Sequence, residues 1–190
     1  MSLRVGVLGS TRGTALQGVL AAVAAGTLDV KIVLVVSDKQ SAPILERAVK
    51  HGVRALFLDP ARLKREAYDQ QVSEALREAG AELVLLVGYM RIVSEQFVNT
   101  WRGRLLNVHP SLLPAFGGLM NLKVHEAVLA AGVSETGCTI HQVTDEVDDG
   151  PIVLQKRCSV LPGDTAEMLQ SRVQALEQAA FVEVLHKWRA

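Results

Sequence analysis

Patterns typical of buried strands alternate with patterns typical of helices along the first part of the chain. The strand patterns are rich in apolar residues, and they occupy residues 3–8, 30–36, 53–57, 82–87 and 104–108. The helix patterns occupy residues 15–25, 42–51, 64–79 and 94–101. Strands that are apolar on both faces belong to parallel sheets, whose neighbouring strands are connected by crossover helices. The alternation therefore predicts an α/β fold, a Rossmann-like doubly wound sheet that is mostly parallel and has helices on both faces.

The pattern changes after residue 120. A helix pattern at 123–131 precedes two strand-like segments, 136–143 and 152–160, which the acidic turn DEVDDGP connects directly. This arrangement predicts a C-terminal antiparallel hairpin, because parallel neighbours cannot be joined by a short turn. A long helix pattern follows at 164–187, with Asp164 or Thr165 as its N-cap. No linker or repeat interrupts the sequence, which predicts a single domain over residues 1–190.

Charge and composition disfavour several classes of protein. Twenty basic residues balance twenty acidic ones, whereas nucleic-acid binders usually carry a basic surplus, so no nucleic-acid partner is expected. The chain lacks both a signal peptide and an apolar run of roughly 18 residues, so we expect a cytoplasmic protein with no membrane partner. The two cysteines, Cys138 and Cys158, fit neither a disulfide framework nor a zinc site, and we expect buried thiols in a reducing compartment.

The loop between the first predicted strand and the first predicted helix is expected to bind a phosphate. Its glycines let backbone N–H groups face inward, and the N-terminus of a helix favours an anion. The candidate ligands are Ser10, Thr11, Arg12, Gly13 and Thr14. The loop is neither a G-x-G-x-x-G fingerprint nor a P-loop, so a dinucleotide is not predicted. The alternative is a glycine turn that binds nothing.

Asn107 and His109 end a predicted strand with one residue between them, so both side chains point to the same side. An amide and an imidazolium can both donate to the negative oxygen of a tetrahedral intermediate, which favours acyl transfer chemistry. A carboxylate that keeps the imidazole charged would come from the acidic turn 145–150. The alternatives are ordinary polar groups at a strand end and a solvated turn. A calcium loop and a serine nucleophile elbow are disfavoured, because their residue spacings are missing.

Four segments resemble the folate-dependent formyltransferases. The string LLNVHPSLLPAFGG at 105–118 is similar to the family signature, and three further segments resemble the branch that acts on glycinamide ribonucleotide. These are GYMRIV at 88–93, VTDEVDDGPI at 143–152 and ALEQ at 175–178. The resemblance covers nearly the whole chain. It implies transfer of a formyl group from 10-formyltetrahydrofolate to the amine of glycinamide ribonucleotide in purine biosynthesis, without a metal.

The resemblance also implies roles for individual residues. Asn107, His109 and Asp148 match the family's catalytic residues. Its folate cleft is matched by Met90, Arg91, Ile92, Val93, Val143 and Thr144. Gly13 and Thr14 match the loop that holds the nucleotide phosphate, and Glu177 matches an acid that contacts the ribose hydroxyls.

The sequence departs from the family pattern in its first loop. The segment GSTRGTA contains one added residue and has Ala15 where the family commonly has Asn, so Arg12 is a candidate to supply the missing contact. In the extended segment 117–132, His125 either faces the nucleotide or caps a helix, and the cap is favoured. Three rival functions remain: a formyltransferase for another amino sugar-nucleotide, a 10-formyltetrahydrofolate hydrolase, and a non-catalytic binding protein. The oligomeric state stays open between monomer and homodimer.

Overall fold

The computed structural model describes residues 2–188 and contains one mixed sheet with helices on both sides. The strands are β1 (Leu3–Leu8), β2 (Val30–Ser37), β3 (Ala55–Phe57), β4 (Leu83–Leu86), β5 (Leu105–His109), β6 (Glu135–Gln142) and β7 (Ile152–Ser159). The helices are α1 (Thr14–Ala24), α2 (Pro43–Lys50), α3 (Arg65–Glu78), α4 (Glu95–Thr100), α5 (Leu122–Ala130) and α6 (Ala166–Lys187). The element order predicted from the sequence is therefore confirmed, and the boundaries agree within two residues.

The strand order is β3-β2-β1-β4-β5-β6-β7. The strands β1 to β5 pair in parallel, whereas β6 pairs antiparallel with both β5 and β7. The predicted doubly wound sheet with an antiparallel hairpin is thus confirmed. The chain builds outward from β1 to β3 and then returns to place β4 on the other side of β1. Ligands of such sheets bind beyond the carboxyl ends of the strands at this reversal.

Alternate side chains of the central strands enter two separate apolar layers. In β4, Leu83 and Leu85 pack in the layer that α1, α2 and α6 cover. Val84 and Leu86 point the other way, into the layer formed with α3 and α4. Both faces of the central strands are therefore buried, which explains why their sequences are continuous apolar runs.

The predicted helix ends are largely confirmed. Thr165 caps α6, because its hydroxyl accepts a hydrogen bond from the Met168 N–H. Asp164 instead accepts from the Leu161 N–H and forms an ion pair with Arg172. Gly80 follows α3 in the left-handed region, at φ 70°, which is the conformation that favours glycine after a helix.

Cys138 and Cys158 are both free thiols. The expectation that both are buried is correct for Cys138, whose pKa burial raises to about 12. It is wrong for Cys158, which is half-buried, because alternate residues of the edge strand β7 face solvent.

Within residues 2–188, no three His, Cys, Asp or Glu side chains are grouped so as to hold a metal ion. No helix in the same range has the length and apolar character needed to cross a membrane.

Candidate active site

A cleft of about 220 Å³ lies beyond the carboxyl ends of β1, β4 and β5. The loops after these three strands, the turn between β6 and β7, and one face of α6 form its walls. The residues that were predicted from the sequence and line the cleft are Thr11, Gly13, Thr14, Met90, Arg91, Ile92, Val93, Asn107, His109, Val143, Thr144, Asp148 and Glu177. The strand order brings these distant segments together, because β1, β4 and β5 are neighbours in the sheet.

Asn107 and His109 lie on β5 and share one side of the strand, as the i, i+2 spacing requires. The Nδ1 atom of His109 lies 3.2 Å from Oδ2 of Asp148, which belongs to the turn between β6 and β7. His109 is only 4% exposed. Burial lowers the pKa of His109, and the facing Asp148 carboxylate opposes that shift. The carboxylate therefore offsets part of the cost of burying the charged imidazole, although the pKa stays below its usual value.

Both ring nitrogens of His109 face hydrogen-bond acceptors. Nε2 lies 3.0 Å from the carbonyl oxygen of Phe116, while Nδ1 faces the carboxylate of Asp148. A neutral imidazole carries one N–H and can donate to only one of these oxygens. The geometry is therefore complementary to the protonated imidazolium, with Asp148 as its counter-ion.

Asp148 is held from three directions. Its Oδ2 accepts a hydrogen bond of 2.9 Å from the Gly118 N–H, and its Oδ1 lies 3.5 Å from Nε2 of His141. Burial by itself would raise the pKa of Asp148, but the contacts with His141, Gly118 and His109 outweigh burial and lower it. Asp148 therefore remains ionised near neutral pH. It also ties the turn between β6 and β7 to the loop after β5.

His141 is a member of the site that the sequence reasoning missed. It lies on β6, directly opposite Asn107 in the antiparallel register, and is 2% exposed. Its Nδ1 is 2.9 Å from the Gln142 carbonyl, and its Nε2 is 3.2 Å from Nδ2 of Asn107. Nε2 of His141 therefore faces both the side-chain amide of Asn107 and the carboxylate of Asp148, so the ring fixes how these two groups lie relative to each other. A histidine inside an otherwise buried strand was the available signal.

The first loop contributes a different set of atoms from the predicted one. Thr11, Gly13 and Thr14 line the cleft, whereas Ser10 and Arg12 do not. Ser10 is buried, and its hydroxyl accepts a 2.9 Å hydrogen bond from the Met90 N–H. Arg12 is exposed to solvent. The prediction that the side chains of Ser10 and Arg12 contact a nucleotide therefore has no support from the cleft geometry.

The segment 88–93 forms a largely apolar wall that α3 supports from behind. The guanidinium carbon of Arg91 lies 4.7 Å from the centre of the Tyr68 ring, a cation–π distance. Asp69 accepts a hydrogen bond from the Ser94 N–H at 2.5 Å, just after the wall. These contacts fix the backbone of the wall, while Met90, Ile92 and Val93 face the cleft.

The α6 side of the cleft is polar. Glu177 and Gln174 lie one turn apart on α6 and both line the cleft. Glu177 is 9% exposed, and burial raises its pKa to about 8. A carboxyl group with this pKa is protonated at pH 7, so it can donate one hydrogen bond and accept others. Such a group is suited to bind hydroxyls rather than cations.

His125 lies inside α5 and lines the cleft, so the favoured reading as a helix cap is wrong. The N-cap position belongs to Asn121, whereas His125 lies within the helix with its side chain buried at the cleft. His125 is 1% exposed, and its Nδ1 has no hydrogen-bond partner among residues 2–188. Burial and the proximity of His109 lower the pKa of His125 to about 4.

Comparison with known proteins gives consistent matches over nearly the whole chain. Residues 3–185 match the model of a family described as formyl transferase. The chain is 42% identical over 185 residues to the trifunctional purine biosynthetic protein adenosine-3 of Drosophila pseudoobscura pseudoobscura, covering 96% of this chain and 13% of that protein. It is 37% identical over 184 residues to the phosphoribosylglycinamide formyltransferase of Escherichia coli K12, covering 96% of this chain and 85% of that one.

The chain therefore spans a small part of the trifunctional relative and most of the bacterial one. Among solved structures, it is similar to glycinamide ribonucleotide transformylase 1 from Symbiobacterium toebii, with a TM-score of 0.93 and 43% sequence identity. The match covers 97% of this chain and 86% of that chain. This agreement confirms the predicted fold class.

Proposed function

The chain belongs to the formyl transferase family, and on that premise we propose that it transfers a formyl group from 10-formyltetrahydrofolate to the amine of glycinamide ribonucleotide, in purine biosynthesis. One observation carries the proposal. Asn107, His109 and Asp148 meet in one cleft, between an apolar wall and a loop suited to a phosphate. The printed names of the relatives and of the similar solved structure support this acceptor.

The reaction begins when the lone pair of the acceptor amine attacks the formyl carbon. A C–N bond forms, and the formyl oxygen becomes an oxyanion to which the His109 imidazolium and the Asn107 amide donate. Collapse of the intermediate breaks the bond to N10 of the folate. The attacking amine loses one proton and N10 gains one, with His109 and Asp148 placed to relay it. Protons and electrons balance without a metal or a redox partner.

The oxyanion must replace one of the two acceptors that His109 contacts in the unliganded structure. Those acceptors are the Asp148 carboxylate and the Phe116 carbonyl. A hydrogen bond to an ionised carboxylate is about twice as strong as one to a neutral carbonyl. The formyl oxygen therefore displaces the Phe116 carbonyl, while Asp148 keeps its hold on Nδ1.

The donor and the acceptor occupy opposite ends of the cleft in this proposal. The planar ring of the folate lies against the wall 88–93 and against Val143 and Thr144, which line the cleft from the other side. The acceptor phosphate lies at Thr11, Gly13 and Thr14. The ribose hydroxyls reach the protonated carboxyl of Glu177. The reacting carbon then falls between the two groups, next to His109.

The test measures loss of the formyl group from a 10-formyl folate by the purified protein. We expect turnover only when glycinamide ribonucleotide is supplied, and a stoichiometric amount of formylated product. Equal turnover without any amine would identify a hydrolase. A preference for an amino sugar-nucleotide would identify that compound, and not glycinamide ribonucleotide, as the acceptor. No turnover under any of these conditions would support a non-catalytic binding role. The proposal retains the cytoplasmic location, the small-molecule partners and the open choice between monomer and homodimer stated above.

A further inference from the structure

We propose that Arg47, a residue outside the cleft, positions the first loop so that its backbone N–H groups bind the acceptor phosphate. This inference rests on the proposed function. Arg47 lies on α2, and no α2 residue lines the cleft. It is therefore a positioning residue and has no direct contact with the reacting groups.

The helix α2 holds two consecutive carbonyls of the first loop. The Ile44 N–H donates to the Thr11 carbonyl at 3.2 Å. The Nε of Arg47 donates to the Arg12 carbonyl at 3.1 Å. The Ile44 N–H belongs to the first turn of α2 and has no acceptor within the helix, while the Arg47 side chain reaches the next carbonyl of the loop.

This pair of hydrogen bonds fixes the direction of the next two N–H groups. A trans peptide unit is planar, and its N–H points opposite to its C=O. The carbonyls of Thr11 and Arg12 point to α2, so the N–H groups of Arg12 and Gly13 point away from α2, towards the cleft that Gly13 lines. Neither N–H donates to any atom of residues 2–188. Successive free N–H groups of this kind form an anion-binding concavity.

Close packing keeps the loop on α2. Gly13 adopts φ 62°, and a Cβ there would lie 2.4 Å from Cγ1 of Ile44. The loop backbone therefore rests directly on the Ile44 side chain. Arg47 is fixed in turn by α1, because its Nη1 donates to the side-chain oxygen of Gln17. These contacts place a cation behind the loop, opposite the anion that the N–H groups face.

This arrangement also accounts for the side chain of Arg12. The sequence suggested Arg12 as the cation of the phosphate site, but its side chain is exposed and does not line the cleft. Its backbone carbonyl is the acceptor that Arg47 holds. The positive charge next to the loop thus comes from a residue far along the sequence.

The experiment compares Arg47→Gln with Lys50→Gln in the full chain. Both changes remove one positive charge from α2, but Lys50 is exposed and makes no hydrogen bond to the loop. Each variant is assayed with glycinamide ribonucleotide and with the same compound lacking its phosphate. For Arg47→Gln we expect the KM of the phosphorylated acceptor to rise about tenfold, since a charged hydrogen bond is lost.

The KM of the dephosphorylated acceptor, the KM of the folate and kcat should change less than twofold or so in Arg47→Gln, because only the phosphate contact is altered. Lys50→Gln should behave like the wild type. A purely structural role of Arg47 would impair both acceptors equally. That result, or an unchanged KM for the phosphorylated acceptor, would overturn the proposal.

Two further measurements separate this inference from the proposed function. If the wild type does not use glycinamide ribonucleotide, the proposed function fails, and inorganic phosphate then serves as the probe. Calorimetry should still detect phosphate binding to the wild type and weaker binding to Arg47→Gln; equal binding would refute the role of Arg47.

If Arg47→Gln does not fold, Gln17→Leu removes the hydrogen bond that holds the Arg47 side chain, and the acceptor KM of this variant should also rise. An unchanged KM in a folded Gln17→Leu would also refute it.

Discussion

The carboxylate of Asp148 lies 3.2 Å from the imidazole of His109, although His109 ends β5 and Asp148 belongs to the turn between β6 and β7. Asp148 reaches this position in a left-handed conformation, at φ 57°, which is uncommon for a residue other than glycine. The Gly118 N–H and His141 hold the carboxylate there. A strained backbone that contacts hold in place is typical of a functional site.

Asp148→Asn should lower kcat about 10²-fold, because the imidazolium loses its counter-ion while the shape of the side chain is kept. Burial lowers the pKa of His109 and Asp148 opposes that shift, so the variant lowers this pKa further. The protonated form of His109 is then lost at a lower pH. The alkaline limb of the kcat profile should therefore move to lower pH. Asp149→Asn, at an exposed position of the same turn, should leave the profile unchanged, and an unshifted limb in Asp148→Asn would contradict the assignment.

His141→Phe should reduce kcat about tenfold and change both Michaelis constants little, because the ring contacts the side chains of Asn107 and Asp148 and orients them. Steady-state kinetics with both substrates varied would measure this. The variant should retain its fold, since the replacement is apolar and the site is buried. A tenfold rise in either Michaelis constant at constant kcat would instead show that His141 contacts a ligand.

Glu177→Gln should raise the free energy of unfolding at alkaline pH. The pKa of Glu177 is raised to about 8, above the value near 4.3 expected in the unfolded chain. The folded protein therefore binds more protons between these values, and stability falls as pH rises through this range. A glutamine cannot ionise, so the gain at pH 8.5 should be on the order of a few kcal/mol. Urea unfolding at pH 6 and 8.5 would measure it, with exposed Glu126→Gln as the control; a gain that is equal at both pH values would disprove the cause.

His125→Leu should make the protein less sensitive to acid. Burial lowers the pKa of His125 to about 4, below the value near 6.5 of the unfolded chain. The unfolded state binds more protons between these two values, so stability is lost as the pH falls through this window. Replacing His125 should therefore reduce the fall in the free energy of unfolding on acidification, by up to roughly 3 kcal/mol at pH 4. Thermal unfolding from pH 4 to 7 would test this, and a loss as steep as that of the wild type would count against it.

Gly88→Ala should destabilise the protein more than Gly103→Ala. Both glycines have positive φ, so each alanine is strained to a similar degree. A Cβ at Gly88 would lie 2.3 Å from Oγ1 of Thr11, whereas one at Gly103 would meet nothing within 4 Å. The difference in the free energy of unfolding should be about 1 to 3 kcal/mol. Gly88→Ala should also raise the KM of the acceptor, because Thr11 lines the cleft; equal effects of the two changes would show that the contact is unimportant.

The order of strands and helices could be predicted from the sequence because it depends on local periodicity. The strands β1, β2 and β4 are covered on both faces, so apolar residues occupy successive positions along most of each strand. The shared orientation of Asn107 and His109 could also be predicted, because residues i and i+2 of a strand point to the same side.

Residues that depend on pairing across the sheet were harder to find. His141 is a neighbour of Asn107 only through the antiparallel register of β5 and β6, which no local pattern encodes. The same reason explains why Arg12 was chosen in place of Arg47. Proximity in sequence favoured the first, whereas packing of α2 on the loop favours the second.

The hydroxyl of Ser10, in the first loop, accepts a hydrogen bond from the Met90 N–H in the opposite wall. It thereby connects the two ends of the cleft. The Ser10 N–H also donates to the Gly88 carbonyl at 3.0 Å, so any shift of the first loop is transmitted to the opposite wall through Ser10. A substrate bound at one end of the cleft would therefore favour the binding-competent arrangement of the other end. The two substrates would bind synergistically, each increasing the apparent affinity for the other.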